Sequence, residues 1–77
     1  MSDIRSPLQA QVVEWHVKPG DHVNPGDLLV ILEAMKMEHT IRAPHDGVVA
    51  AIHARPGTQV AASAVLLDVR QEAPRKP

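Results

Sequence analysis

Leu28-Leu29-Val30-Ile31-Leu32-Glu33-Ala34-Met35-Lys36-Met37-Glu38-His39-Thr40-Ile41-Arg42-Ala43-Pro44 is the stretch that decides the fold. Its first five residues are an apolar run with strand character. Residues 39–43 make a second extended run, closed by Pro44, a breaker. A short segment between two such runs reads as a hairpin with Lys36 at its tip. There the amine projects into solvent, flanked by Met35 and Met37.

Working outward, the prolines and glycines expose an internal repeat. Pro19-Gly20 recurs 37 residues later as Pro56-Gly57. The same offset aligns Pro7 with Pro44, Val12 with Val49, Trp15 with Ile52, His16 with His53, Lys18 with Arg55, Val23 with Val60 and Leu29 with Leu66. Repeat arrays need about three or more units to bury a continuous core. Two matched halves in one short chain therefore imply a pseudo-two-fold domain. Each half has one grammar: an alternating strand (Gln11–Val17, Val48–Ala54), a Pro-Gly turn, a short segment near Val23 or Val60, and an apolar strand (Leu28–Leu32, Val65–Val69). Helical periodicity is absent, so the class is all-β, a barrel or sandwich closed by the two halves.

Strand alternation assigns the inward face. It places Val13, Trp15, Val17, Val30, Leu32, Ile52, Leu67 and Val69 inside, and Ile31 and Asp68 on a face meeting solvent. Leu28 and Val65 share the inward parity of their strands.

Composition narrows the function classes. The chain has 77 residues, which bounds it to one small domain. The last eight, Arg70-Gln71-Glu72-Ala73-Pro74-Arg75-Lys76-Pro77, are charged and proline-containing and read as a disordered tail, leaving a packed domain over 1–69. The formal net charge is −1, which gives no electrostatic case for nucleic acid or a membrane surface. No apolar run is long enough to span a bilayer, and the N-terminus lacks the apolar core of a secretory signal. Cysteine is absent, which fits the cytoplasm and excludes thiolate metal sites. His16, His22, His39, His45 and His53 match no ligand spacing and read as surface residues, so no metal site is expected. No paired carboxylates, nucleophile–base set or phosphate loop is present, so no catalytic residue is assigned. Asp21 and Asp27 read as turn residues. The chain looks like a scaffold that presents one side chain.

The six residues Glu33-Ala34-Met35-Lys36-Met37-Glu38 resemble the attachment motif of biotin carboxyl carrier proteins and of the biotinyl domains of biotin-dependent carboxylases. The likeness runs from about Pro7 to Val69 and takes in Pro19-Gly20-Asp21, Pro25-Gly26-Asp27, Ala43-Pro44, Asp46-Gly47 and Pro56-Gly57. It departs at Ser6-Pro7-Leu8-Gln9-Ala10, where that family usually carries a methionine after the proline and a glycine near position 10. The resemblance implies a flattened barrel of two four-stranded antiparallel sheets with quasi-two-fold symmetry, of the thumbless type, because the run from Pro25 to Lys36 has no room for an insertion. It implies biotin joined to Lys36 through an amide, with Glu33, Ala34, Met35, Met37 and Glu38 as flanking recognition residues. It further implies attachment by a biotin protein ligase, with the carried ring carboxylated at a biotin carboxylase and discharged at a carboxyltransferase. An acyl-CoA carboxylase, such as the acetyl-CoA carboxylase of fatty acid biosynthesis, is the expected setting. The domain itself performs neither reaction. It is either a stand-alone carrier subunit or one domain of a longer chain.

A lipoyl carrier domain of an oxo-acid dehydrogenase complex is the alternative, since it shares the fold and the hairpin lysine. Lipoyl domains usually place an acidic residue before the lysine and a small one after it; here both neighbours are methionine. A non-carrier interaction module would show a degraded lysine context and coiled-coil flanks, and the sequence has neither.

Overall fold

The computed structural model describes residues 2–71. Eight strands are present: β1 (Ser2–Arg5), β2 (Ala10–Trp15), β3 (His22–Val23), β4 (Leu28–Ala34), β5 (Met37–Arg42), β6 (Gly47–Ile52), β7 (Gln59–Val60) and β8 (Val65–Arg70). They form two four-stranded antiparallel sheets, ordered β1-β8-β6-β3 and β5-β4-β2-β7. The 37-residue offset carries one sheet onto the other: β2 onto β6, β3 onto β7, β4 onto β8, and β1 onto the last four residues of β5.

The hydrogen bonds outside the strands obey the same offset. Gly20 N–H donates to Val49 C=O at 2.8 Å, and Gly57 N–H to Val12 C=O at 2.7 Å. His16 N–H donates to Leu29 C=O, and His53 N–H to Leu66 C=O. Even a side-chain bond repeats: Arg42 Nη1 donates to Gly26 C=O at 3.0 Å and Arg5 Nη1 to Ser63 C=O at 2.9 Å. The Pro-Gly turns close through Asp21 N–H to Lys18 C=O and Thr58 N–H to Arg55 C=O, each 3.1 Å. Gly20 (φ +96°) and Gly57 (φ +86°) occupy the positive-φ position that a type II turn demands after proline. Asp21 and Asp27 are turn residues, as expected. Their carboxylates accept from the backbone N–H of Lys18 and Asn24 at 2.9 and 2.8 Å.

The core departs from simple alternation, and β-bulges are the cause. Val13 was expected inside but is 42% exposed, while Val12 is fully buried. The pairing of β2 with β4 slips between Val12 and Glu14, leaving Val13 as the extra residue. β6 slips identically between Val49 and Ala51, so Ala50, the repeat partner of Val13, is the extra residue there. β4 and β8 carry bulges at Leu29 and Leu66, again repeat partners. A bulge lets two consecutive residues face one side. Hence Leu29 with Val30, and Leu66 with Leu67, are buried as adjacent pairs, whereas Leu28 and Val65 sit only half-buried. Val30, Leu32, Leu67 and Val69 are core residues, as alternation required. Trp15, Val17 and Ile52 pack at its rim, half-buried. Trp15 Nε1–H donates to Ala54 C=O at 2.8 Å, which satisfies the indole donor.

Element bounds also differ: β2 and β6 cover Ala10–Trp15 and Gly47–Ile52 where strands over 11–17 and 48–54 were expected, and β4 runs on past Leu32 to Ala34. β1 is a strand that the reading of strand patterns passed over, and β8 runs through Arg70, which pairs with Val48. Arg70 therefore belongs to the sheet and not to a tail; residues 72–77 lie outside the described residues.

Candidate functional site: the lysine hairpin

β4 and β5 pair continuously up to Ala34 and Met37, which face each other directly. Only Met35 and Lys36 lie between them, so the connection is a two-residue turn. Met35 has φ +54° and Lys36 φ +64°. Positive φ at both central residues is the type I′ geometry whose twist matches the flanking strands. That turn ordinarily takes Asn-Gly or Gly-Gly, yet here it holds two long L side chains. Left-handed backbone costs roughly 1–2 kcal/mol per non-glycine residue.

The tip is built for display. Met35 is 90% and Met37 63% exposed, so Met37 is not drawn inward by its pairing with buried Ala34. Lys36 is exposed and makes no hydrogen bond or ion pair to a described residue. Below the tip Glu33 and Glu38 are direct cross-strand partners, both exposed. Like charges set opposite each other weaken a sheet. The structure thus places all six residues singled out from the sequence in one hairpin end: Ala34 anchors it inside, and the other five project.

Connectivity fixes what else is near. Arg5 joins Ala10 through only four residues, and Ala10 lies beside the base of the tip, since Gln11 pairs with Glu33. β1 therefore ends, and β8 begins, at the lysine end. Ser2 and Arg70 lie at the opposite end. An open groove of about 570 Å³ runs beside the turn, with Leu8, Gln9, Gln11 and Gln59 along one side and Ala34 and Lys36 along the other. Sequence reading missed this groove, because it unites three segments distant along the chain.

The remaining polar groups form small separate pairs. His53 Nε2 lies 2.8 Å from Asp68 Oδ2, and this hydrogen bond holds the Asp68 carboxyl below the usual carboxylate range, against an opposing effect of desolvation. His16 sits 3.3 Å from Glu14, and His45 bonds Ser2 Oγ at 2.8 Å. No three metal-ligating side chains converge among the described residues.

The pseudo-symmetric β-domain displays one lysine on a strained hairpin, where the resemblance to biotinyl domains implies a covalently held group. The lysine end fits such a group: the amine is unpaired among the described residues, on a flexible stem, in an exposed two-residue turn. Comparison with known proteins identifies the class. The model of the family described as biotin-requiring enzyme matches residues 2–69. The chain is 37% identical over 67 residues to the biotin-dependent acyl-coenzyme A carboxylase alpha3 subunit of Mycobacterium leprae, covering 87% of this chain and 11% of that protein. It is 41% identical over 66 residues to pyruvate carboxylase 1 of Caenorhabditis elegans, covering 86% and 6%. Among solved structures, the lipoyl domain of the 2-oxoglutarate dehydrogenase complex from Azotobacter vinelandii superposes with a TM-score of 0.83 at 29% identity, covering 95% of this chain and all of that one. The chain belongs to the biotin-requiring enzyme family. It is a carrier domain of the kind found within biotin-dependent carboxylases, with biotin as its cofactor. It spans about a tenth or less of the length of these two carboxylases.

Proposed function

We propose that Lys36 is the residue that carries biotin, and that the domain shuttles the carried group between a biotin carboxylase site and a carboxyltransferase site. The observation that carries this reading is the I′ turn, which holds an exposed, unpaired lysine on strained backbone at the hairpin tip. An amine attacks an activated acyl group only in its unprotonated form. No base from this chain bonds Lys36 among the described residues, so a biotin protein ligase supplies both the base and the activated acyl group. Met35 and Met37 offer polarisable surface that adapts to a partner, and Glu33 and Glu38 add charge for its recognition. The domain contributes reach and orientation, and the chemistry belongs to its partners.

Because Ser2 and Arg70 lie at the far end, chain joined there leaves the tip free to swing. The relatives are long carboxylases, which supports a setting with both catalytic partners close by. Acyl-CoA carboxylation, with acetyl-CoA in fatty acid synthesis as one instance, is the setting we favour. The acyl-CoA relative supports it, and the pyruvate carboxylase relative marks the competing acceptor. The cysteine-free composition suits the cytoplasm, the compartment we propose.

The test is intact mass and peptide mapping after co-expression with a biotin protein ligase, and separately with a lipoyl ligase. One biotinyl group on Lys36, lost in Lys36→Arg without loss of thermal stability, is the expected result. A lipoyl group instead would transfer the reading to oxo-acid dehydrogenase chemistry, which the Azotobacter vinelandii likeness keeps in view. Biotin on another lysine would overturn the site.

A further inference from the structure

The groove beside the tip is lined by three glutamines, Gln9, Gln11 and Gln59, drawn from the link before β2, from β2 itself and from β7. All three are exposed. Neither the Gln9 nor the Gln59 amide bonds a described residue, and Gln11 makes only a long 3.5 Å contact to Gly57 C=O. Half-buried Leu8 and buried Ala34 supply an apolar floor. Lys36 is among the residues lining the same groove, so a group joined to its amine is tethered beside it.

A primary carboxamide offers one acceptor oxygen and two N–H donors. A cyclic urea offers the complementary set, one carbonyl flanked by two N–H groups, on a ring with an apolar opposite edge. We propose that this glutamine groove is a resting site for the ureido ring carried by Lys36. The inference rests on the assignment of biotin to Lys36. Neutral, solvent-facing hydrogen bonds are individually weak, so the site is weak for free ligand. The tether compensates, because a short flexible link sets an effective concentration of about millimolar order. Resting occupancy is therefore partial and easily surrendered to a partner's active site. The dithiolane of a lipoyl group has no urea and cannot make these amide pairs.

The experiment compares heteronuclear NMR spectra of the nitrogen-15-labelled domain with and without biotin, loading verified by intact mass. The expected result is a shift of the Gln9 and Gln59 side-chain amide signals on biotinylation, with nuclear Overhauser contacts from those amides to the ureido protons. The exposed double variant Gln9→Ala/Gln59→Ala, loaded to the same mass, should lose the contacts and show faster ring motion at unchanged Tm. Mass-verified biotin with shifts confined to Met35–Met37 would overturn the groove while leaving the carrier assignment intact. A domain that accepts no biotin would instead overturn the carrier assignment, and the groove proposal with it.

Discussion

Replacing Met35-Lys36 by Asn-Gly should make this domain more stable while removing its proposed attachment point. Both residues hold left-handed backbone, at φ +54° and φ +64°. The conformation costs roughly 1–2 kcal/mol for an ordinary L residue, less for asparagine and essentially nothing for glycine. Glycine gives back roughly 0.5–1 kcal/mol through the larger entropy of its unfolded chain. Met35 is 90% exposed, so its removal forfeits almost no buried area. The net gain for the pair is about 1 kcal/mol, which raises Tm by about 4–8 °C in a domain of this size. Thermal and urea unfolding of the unmodified proteins measure it directly. Met35→Asn alone keeps the lysine and should contribute a few tenths of a kcal/mol or more, while slowing ligase modification if the methionine is read by the ligase. A Tm that is unchanged or lower in the double variant would refute the reasoning: the tip would then carry no conformational cost, and its residues could not be said to be kept against one.

Ser63 stands where the repeat has Gly26 and adopts φ +71° against +89° for the glycine, so Ser63→Gly should stabilise by about 0.5–1 kcal/mol, read from urea midpoints. Glu38→Lys turns the Glu33–Glu38 cross-strand repulsion into attraction and should gain about 0.5 kcal/mol at low ionic strength, a gain that fades as salt is added. Gly47→Ala should destabilise by about 2–3 kcal/mol, because the new Cβ would sit 2.6 Å from Arg70 O and 2.8 Å from Val69 Cγ1 in the β6–β8 pair; thermal unfolding checks it. The Asp68 carboxyl is held low in the folded state by His53, so its contribution to stability is fully present above the unfolded carboxylate value of about 3.9 and is lost as pH falls through the depressed folded value. An acid-unfolding profile of Asp68→Asn should lack that portion of the decline, and a profile superimposable on the unaltered protein would exclude the linkage.

Turn chemistry and the repeat were the legible parts of the chain. Pro19-Gly20 and Pro56-Gly57 announce their turns, and the offset between them reproduces the hydrogen-bond partners of one half in the other. The bulges were not legible by alternation, because a bulge changes parity without leaving a proline or glycine to mark it. Val13 and Leu29 carry no local signal of their roles. Their repeat partners did hold a clue. Val13 matches Ala50, a residue too small for a demanding core position, whereas Leu29 matches Leu66, large and apolar in both halves. Comparing the halves position by position, instead of assuming strict alternation, would have put Leu29 and Leu66 inside. β1 escaped notice because Ser2-Asp3-Ile4-Arg5 has one core residue, Ile4, and draws its pairing wholly from β8. The hairpin was legible with Lys36 at its tip, but the groove beside it was not, since no local pattern ties Gln9 to Gln59.

The tip is where local preference and global structure disagree most sharply. Elsewhere among the described residues glycine takes positive φ in three turns, and the one exception outside the hairpin is a serine. At the hairpin it places methionine and lysine there, exposes both methionines, and sets two glutamates face to face below them. The strained backbone and the facing glutamates cost stability, and no side-chain hydrogen bond or ion pair among the described residues offsets either. Sequences tend to agree with their fold at every level except where function overrides it. Three such conflicts within six residues, on a domain whose two halves otherwise match turn for turn, argue that this hairpin was shaped by what binds it. The repeat sharpens the argument. The pseudo-two-fold relates the paired base of the hairpin, Leu32 with His39, to the pairing of Val69 with Ser2. The same strand pair is therefore closed by a strained turn at one end of the domain and left open at the other.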